Sequence, residues 1–254
     1  MESTLLQALF VAASVGIASG SIGAFVVLEH LALAGDALSH VALPGIALAI
    51  AYGIDPFFGA LVFLVIASFV VWYLRTKTNL PTDALIGILF TASLAVGILT
   101  IPDYEIIESL FGGFPELPPL FLVFIVALAT GFAFLTFLFA KQFAFRNISR
   151  ELAQASGIGE RYELLLLVLF AVVVALGIKL VGTLLMGALV IIPALVARNL
   201  TRSMRGYIVV STVFGGLIAV FAVFVANIYH FLPGPTIVLF GIGCFAISLL
   251  FRKN

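Results

Sequence analysis

The sequence has 254 residues, of which 63% are hydrophobic and 9% charged, and its twelve basic and twelve acidic residues leave a formal net charge of zero. A soluble domain carries about 25% charge, so with a mean hydropathy of +1.30 this chain reads as a polytopic membrane protein. Charge balance gives no electrostatic case for nucleic acid, and the lone Cys244 excludes a disulfide framework and a multi-cysteine metal or iron–sulfur centre.

A helix needs roughly 20 mostly apolar residues to cross the hydrocarbon core. The first such run, Leu5–Val27, follows Met1-Glu2-Ser3. Without a basic n-region ahead of it, the run is expected to stay as a transmembrane helix rather than act as a signal peptide. Gly16 and Gly20 inside it form a GxxxG match suited to close helix packing. The second run, Leu28–Ile54, carries Asp36 and His40, which counting along a straight helix places near the bilayer midplane. Pro44 and Gly45, one turn on, are expected to let that helix bend.

Further runs are Phe57–Leu74, Ala84–Ile101, Leu117–Ala140 and Glu163–Ile178. The seventh, Leu180–Ala197, contains Gly182, Gly187 and Pro193 and is expected to be bent or partly re-entrant. Tyr207–Ile228 and Pro235–Phe251 complete the set. The reading is an all-α transmembrane bundle of eight to nine spans, nine preferred, forming one domain over residues 1–254. Strand-based spanning is excluded because the runs lack period-2 alternation. The longest polar stretch, Lys141–Tyr162, holds one short amphipathic helix around Ile148–Ala153.

Charge placement sets the orientation. Arg75 and Lys77, then Lys141, Arg146, Arg150 and Arg161, then Arg198, Arg202 and Arg205, and finally Arg252 and Lys253 fall on one face by alternate crossings. Those are eleven of the twelve basic residues, so that face is read as cytoplasmic, with the N-terminus outside and the C-terminus inside. The opposite loops carry Asp55, Asp103, Glu105, Glu108 and Glu116. Lys179 alone disagrees, near an outer helix end where its stem can snorkel.

Asp36 and His40 are one turn apart and share a helix face. Intramembrane ionisable residues are costly and usually line an interior path. One reading is a helix contact with Asp36 accepting a hydrogen bond. The other is half of a metal site, since carboxylate plus imidazole suits Zn²⁺, Mn²⁺ or Fe²⁺ and not Cu⁺. A two-fold dimer facing these residues together would supply two aspartates and two histidines. His30, beside Glu29, reads as an interfacial residue or an exit contact. His230 lies in an outer loop, where a cation would arrive or where it is only interfacial. The acidic 102–118 loop is either a consequence of the charge rule or a concentrator of cations.

Arg198, Arg202 and Arg205 are spaced to share one face of a short helix opposite Leu195, Leu200 and Met204, with Pro193 breaking the helix before it and Gly206 ending it. That helix is either an anchor to anionic lipid or a docking element for a cytoplasmic partner. No GxxxxGK[ST] phosphate loop occurs, so the chain is not expected to hydrolyse ATP itself; HExxH and GxSxG are also absent, against an intramembrane enzyme.

Three stretches together resemble the permease subunit of the ABC-3 family, the zinc, manganese and iron(II) uptake ABC transporters. They are Gly35-Asp36-Ala37-Leu38-Ser39-His40-Val41-Ala42-Leu43-Pro44-Gly45, the Leu180–Ala194 run with the arginine segment after it, and Leu232-Pro233-Gly234-Pro235-Thr236-Ile237-Val238-Leu239. The resemblance implies a type II importer-like permease in a bacterial-type plasma membrane, working as a homodimer. A cytoplasmic ABC ATPase supplies ATP hydrolysis, and an extracytoplasmic metal-binding receptor delivers the ion. The family's metal ligands match Asp36 and His40, and its coupling helix matches the segment of Arg198, Arg202 and Arg205. No permanent cofactor is implied, only a transported divalent metal. Glu29-His30 departs from the family's pattern and receives no role. The alternative is a permease for a metal chelate such as a siderophore or cobalamin.

Overall fold

The computed structural model describes residues 2–78, 80–100, 111–114, 117–183 and 185–251. Among them every regular element is a helix. They are α1 (Glu2–Leu28), α2 (Ala32–Val41), α3 (Leu43–Ala51), α4 (Pro56–Thr78), α5 (Thr82–Thr100) and α6 (Pro119–Leu138). Then come α7 (Ala140–Ile148), α8 (Arg150–Ala155), α9 (Arg161–Val181), α10 (Met186–Leu200), α11 (Met204–Tyr229) and α12 (Pro233–Leu250).

Seven stretches are long and apolar enough to cross a membrane: α1, Ala34–Ala51, α4, α6, α9, α11 and α12; α5 and α10 are shorter apolar helices. Each of the nine runs read from the sequence thus has a counterpart. The core helices are α1 and α9, each 78% buried over its apolar window, whereas only 22% of α6 is buried, which leaves it for lipid.

Packing at the centre depends on missing side chains. A Cβ on Gly16 would lie 2.4 Å from the carbonyl oxygen of Gly215, and one on Gly20 2.3 Å from that of Ser211. Gly16-xxx-Gly20 on α1 therefore meets Ser211-xxx-Gly215-xxx-Ala219 on α11, backbone against backbone. Ser211 Oγ also donates to the Gly20 carbonyl at 2.5 Å.

The basic loops converge on one end of the bundle. There Arg75 of α4 and Arg146 of α7 both pair with Glu163 of α9, and Arg146 and Glu163 are buried. Asn147 Nδ2 donates to the carbonyl of Leu28 at the end of α1, and Asn199 Nδ2 to Ser248 Oγ near the end of α12. At the opposite end Lys179 Nζ reaches Asp55 Oδ2 at 2.7 Å and lies 5.2 Å from the centre of the Phe121 ring. The basic exception in the loop pattern is thus held by a carboxylate and an aromatic face. The backbone N–H of Leu117 donates to Gln7 Oε1 near the chain start, so α1 begins at this end and α12 finishes at the basic one. Residues 101–110, 115 and 116, and with them Asp103, Glu105, Glu108 and Glu116, lie outside the described residues, as do Arg252 and Lys253.

Three expectations need correction. The second run is not one helix from Leu28: α1 ends there, and His30 turns the chain with φ 60° before α2 starts at Ala32. Its interruption falls at Ala42, ahead of Pro44, because a proline has no N–H to give and sits in the first turn of a new helix, α3. Gly45 does not supply a hinge; its Cβ would meet the Gly59 carbonyl oxygen at 2.3 Å, so it lets α3 press on α4. In the seventh run Pro193 lies inside α10 without ending it, and the break is instead at Gly182, whose φ of 84° closes α9. Between Lys141 and Tyr162 two helices form, α7 and α8, the second capped by Ser149 accepting from Leu152 N–H.

Candidate metal site and partner-docking corner

α2 positions both candidate ligands. His40 is buried, 6% exposed, with its ring 5.4 Å from that of Phe90 on α5 and tilted by 59°. Its Nδ1 has no hydrogen-bond partner among the described residues. Ser39, beside it, spends its hydroxyl on the Gly35 carbonyl at 2.7 Å. Asp36, one turn earlier, is exposed on the chain's own surface. Because α2 starts at Ala32, the centre of the α2–α3 crossing falls near Ala42. Asp36 is therefore about 9 Å along the axis towards the basic end and His40 about 3 Å. Both thus lie on the basic-end side of the crossing's centre, Asp36 one turn further out than His40.

The backbone beneath Asp36 is set by α10. A Cβ on Gly187 would lie 2.7 Å from the Asp36 nitrogen and 3.0 Å from its Cα. One on Gly35 would meet the Gly187 Cα at 3.2 Å. Two of the sequence stretches singled out above, 135 or more residues apart in the chain, thus touch through two glycines. Gly234, in the third, would place its Cβ 2.4 Å from the Val181 carbonyl oxygen and 3.1 Å from Leu185 Cδ1, so α12 begins against the break between α9 and α10.

Among the described residues no group of three or more His, Cys, Asp or Glu side chains is arranged to hold a metal ion. The chain alone offers the Asp36–His40 pair. Neither other histidine joins it. His30 ends α1 and His230 caps α11, both in the left-handed region (φ 60° and 55°) that glycine or asparagine usually fills.

Arg198, Arg202 and Arg205 are all exposed at the basic end, and the single short helix expected for them is absent. Arg198 closes α10, Arg202 lies in the Thr201–Ser203 link, and Arg205 is in the first turn of α11. The cause is Ser203, extended at φ −111° and ψ 146°, whose hydroxyl accepts from Gly206 N–H and starts a new helix. Gly206 is in that first turn, not at a helix end. The three guanidinium groups form a corner between two long helices.

Two features escaped the sequence. Glu163 was only the start of an apolar run, yet it anchors Arg75 and Arg146, 88 and 17 residues away, without local spacing to reveal it. Gly187 was read as an interruption, and its contact with Asp36 has no signature in either segment.

The family model of the ABC 3 transport family matches residues 1–252. The chain is 31% identical over 249 residues to the manganese import system permease protein ScaB of Streptococcus gordonii, covering 96% of this chain and 90% of that protein. It is 30% identical over 271 residues to the high-affinity zinc uptake system membrane protein ZnuB of Haemophilus influenzae, with complete coverage of both. Among solved structures, PsaBC from Streptococcus pneumoniae in complex with Fab aligns with a TM-score of 0.84 at 32% identity, covering 96% of this chain and 90% of that one.

Proposed function

The chain belongs to the ABC 3 transport family, and we propose that it is the membrane-spanning permease of an ATP-driven importer that passes a divalent transition-metal ion between Asp36 and His40 of two copies. Relatives named for manganese and zinc favour a free ion over a chelate, and carboxylate–imidazole chemistry adds ferrous iron to the cargoes the pair suits.

The observation that carries this reading is the state of α2. A carboxylate uncovered on a membrane-spanning helix is costly, and this one stands one turn from a buried imidazole with an unpartnered nitrogen. Lipid against that face would leave the cost standing. A second copy would cover it and complete a set of two aspartates and two histidines. The cation then offsets the charge of the carboxylates, and modest affinity lets it leave.

Energy comes from a separate ATP-binding subunit seated at the corner of Arg198, Arg202 and Arg205 on the cytoplasmic face, and a metal-loaded receptor docks at the opposite end. α10 joins the two sites: its first turn touches Asp36 and its last turn carries Arg198.

Uptake of manganese and zinc, with and without chelator, by cells carrying Asp36→Ala, His40→Ala or Asp36→Asn tests the site. Each substitution is expected to stop uptake while assembly with the ATPase persists. Normal uptake by either alanine variant returns the pair to a helix contact. Charge reversal of the three arginines to Glu should abolish metal-stimulated ATP hydrolysis in a correctly inserted protein.

A further inference from the structure

Two clefts open at the basic end, and their charges are opposite. The larger, about 440 Å³, is lined by four carboxylates, Glu29, Asp83, Glu160 and Glu163, with Arg75 and Arg146. The smaller, about 380 Å³, lies between the α1–α2 turn, α7 and the α10–α11 corner. No carboxylate lines it. Its polar lining is His30, Asn147, Arg198, Thr201, Arg202, Ser203 and Tyr207.

Tyr207 is only 7% exposed, and its hydroxyl has no hydrogen-bond partner among the described residues. A buried hydroxyl without a partner costs free energy unless a ligand or water supplies one. α11, 26 residues long, begins in the same place, so the positive end of its dipole lies beside the cleft. Guanidinium groups, a helix N-terminus and hydroxyl donors are the chemistry that receives a phosphate. Val27 and Leu28 form an apolar wall beside them, at the level where α1 ends and headgroups begin.

We propose that this cleft binds a phosphate group, supplied by the headgroup of an anionic phospholipid in the adjoining leaflet or by free phosphate. Tyr207 donates to it, the two arginines neutralise it, a ring N–H of His30 donates beside them, and the apolar wall takes the glycerol side of a lipid. The site is separate from the Asp36–His40 pair; it shares Arg198 and Arg202 with the proposed ATPase seat and does not include Arg205.

The full chain in nanodiscs separates the two sources. One arm compares phosphatidylcholine discs with and without phosphatidylglycerol and reads retained lipid by native mass spectrometry. The other titrates inorganic phosphate into pure phosphatidylcholine discs and reads thermal protection. Tyr207→Phe keeps the ring and removes the donor; His30→Gly keeps the left-handed turn and removes the imidazole. Each variant should bind about tenfold more weakly than the unaltered chain, at unchanged helix content. A loss confined to phosphatidylglycerol assigns the lipid, and a loss of phosphate protection assigns the free anion. An acidic side chain of a protein partner as the true occupant would leave both readings equal in wild type and variants, and that result overturns the proposal.

Discussion

Gly187→Ala is the most direct perturbation of the proposed ion path that leaves both ligands in place. The new Cβ would lie 2.7 Å from the Asp36 nitrogen, 3.0 Å from its Cα and 3.1 Å from the Gly35 carbonyl carbon. All three are backbone atoms, so no side chain can rotate aside. Ordinary contact begins near 3.4 Å, so α2 and α10 must part by about 0.7 Å. Overpacking of this kind costs about 1–3 kcal/mol, which a bundle built on the α1–α11 seam survives. α2 can yield, because its far side is uncovered at Asp36. A binding site needs its ligands held within about 0.5 Å, and the displacement exceeds that. Manganese or zinc uptake should fall at least about tenfold, with expression, insertion and ATPase association unchanged. Gly131→Ala on α6, where a Cβ meets nothing within 4 Å, should transport as the unaltered chain does. Equal uptake by Gly187→Ala and Gly131→Ala would show that the seat of Asp36 on α10 has no part in transport.

Gly20→Ala forces apart the α1–α11 seam and strains the Ser211 hydrogen bond. It should destabilise the protein by about 2–4 kcal/mol in detergent melts, whereas Gly243→Ala, with open space around it, should not. Glu163→Gln removes the carboxylate between Arg75 and Arg146 and should cost about 3–5 kcal/mol in denaturation. The pair Arg146→Met with Glu163→Leu should recover part of that loss, and no recovery would deny the ion pair its role. For orientation, cysteines placed at the exposed Lys141 or Arg202 in a Cys244→Ser chain should resist impermeant thiol reagents in intact cells, and one at His230 should react. Labelling at position 141 or 202 from outside inverts the map.

What could be read from the sequence is what the chain encodes locally. Apolar runs report spans because the whole signal lies within one stretch, and the basic loops report a common face because alternate crossings preserve side. The start of the second helix was misplaced because the helix boundary is a histidine in a left-handed turn, where glycine or asparagine would have marked it. The arginine corner was misjudged because spacing of four and three residues also fits a helix end, a link and a helix start. The cue was Ser203 with the Gly206 N–H three residues on, an N-cap rather than a helix interior. Glu163 and Gly187 were beyond reach, because their partners lie in other helices and sequence spacing carries no information about them.

Both interrupted segments bear on one point, and the physics of the bilayer explains the pairing. Backbone that leaves the helix at membrane depth exposes unpaired N–H and C=O groups, tolerated only where protein or water covers them. Ala42 keeps helical dihedrals and is buried, and at the second break Gly182, with φ 84°, and Thr183 are buried in protein. The consequence is a short, unbroken α10 of 15 residues, about 22 Å long. At one end it meets α2 through a glycine contact with no side chain to absorb movement; at the other it presents Arg198. The α1–α11 seam has close backbone contacts at both Gly16 and Gly20, a geometry that resists sliding. A Cβ on Gly23 would lie 2.0 Å from the Val190 carbonyl oxygen, so α10 is seated as closely on α1. Packed elements of this kind shift as rigid pieces rather than stretch, and in the proposed coupling a displacement at the arginine corner would carry α10 and its contact with Asp36 together.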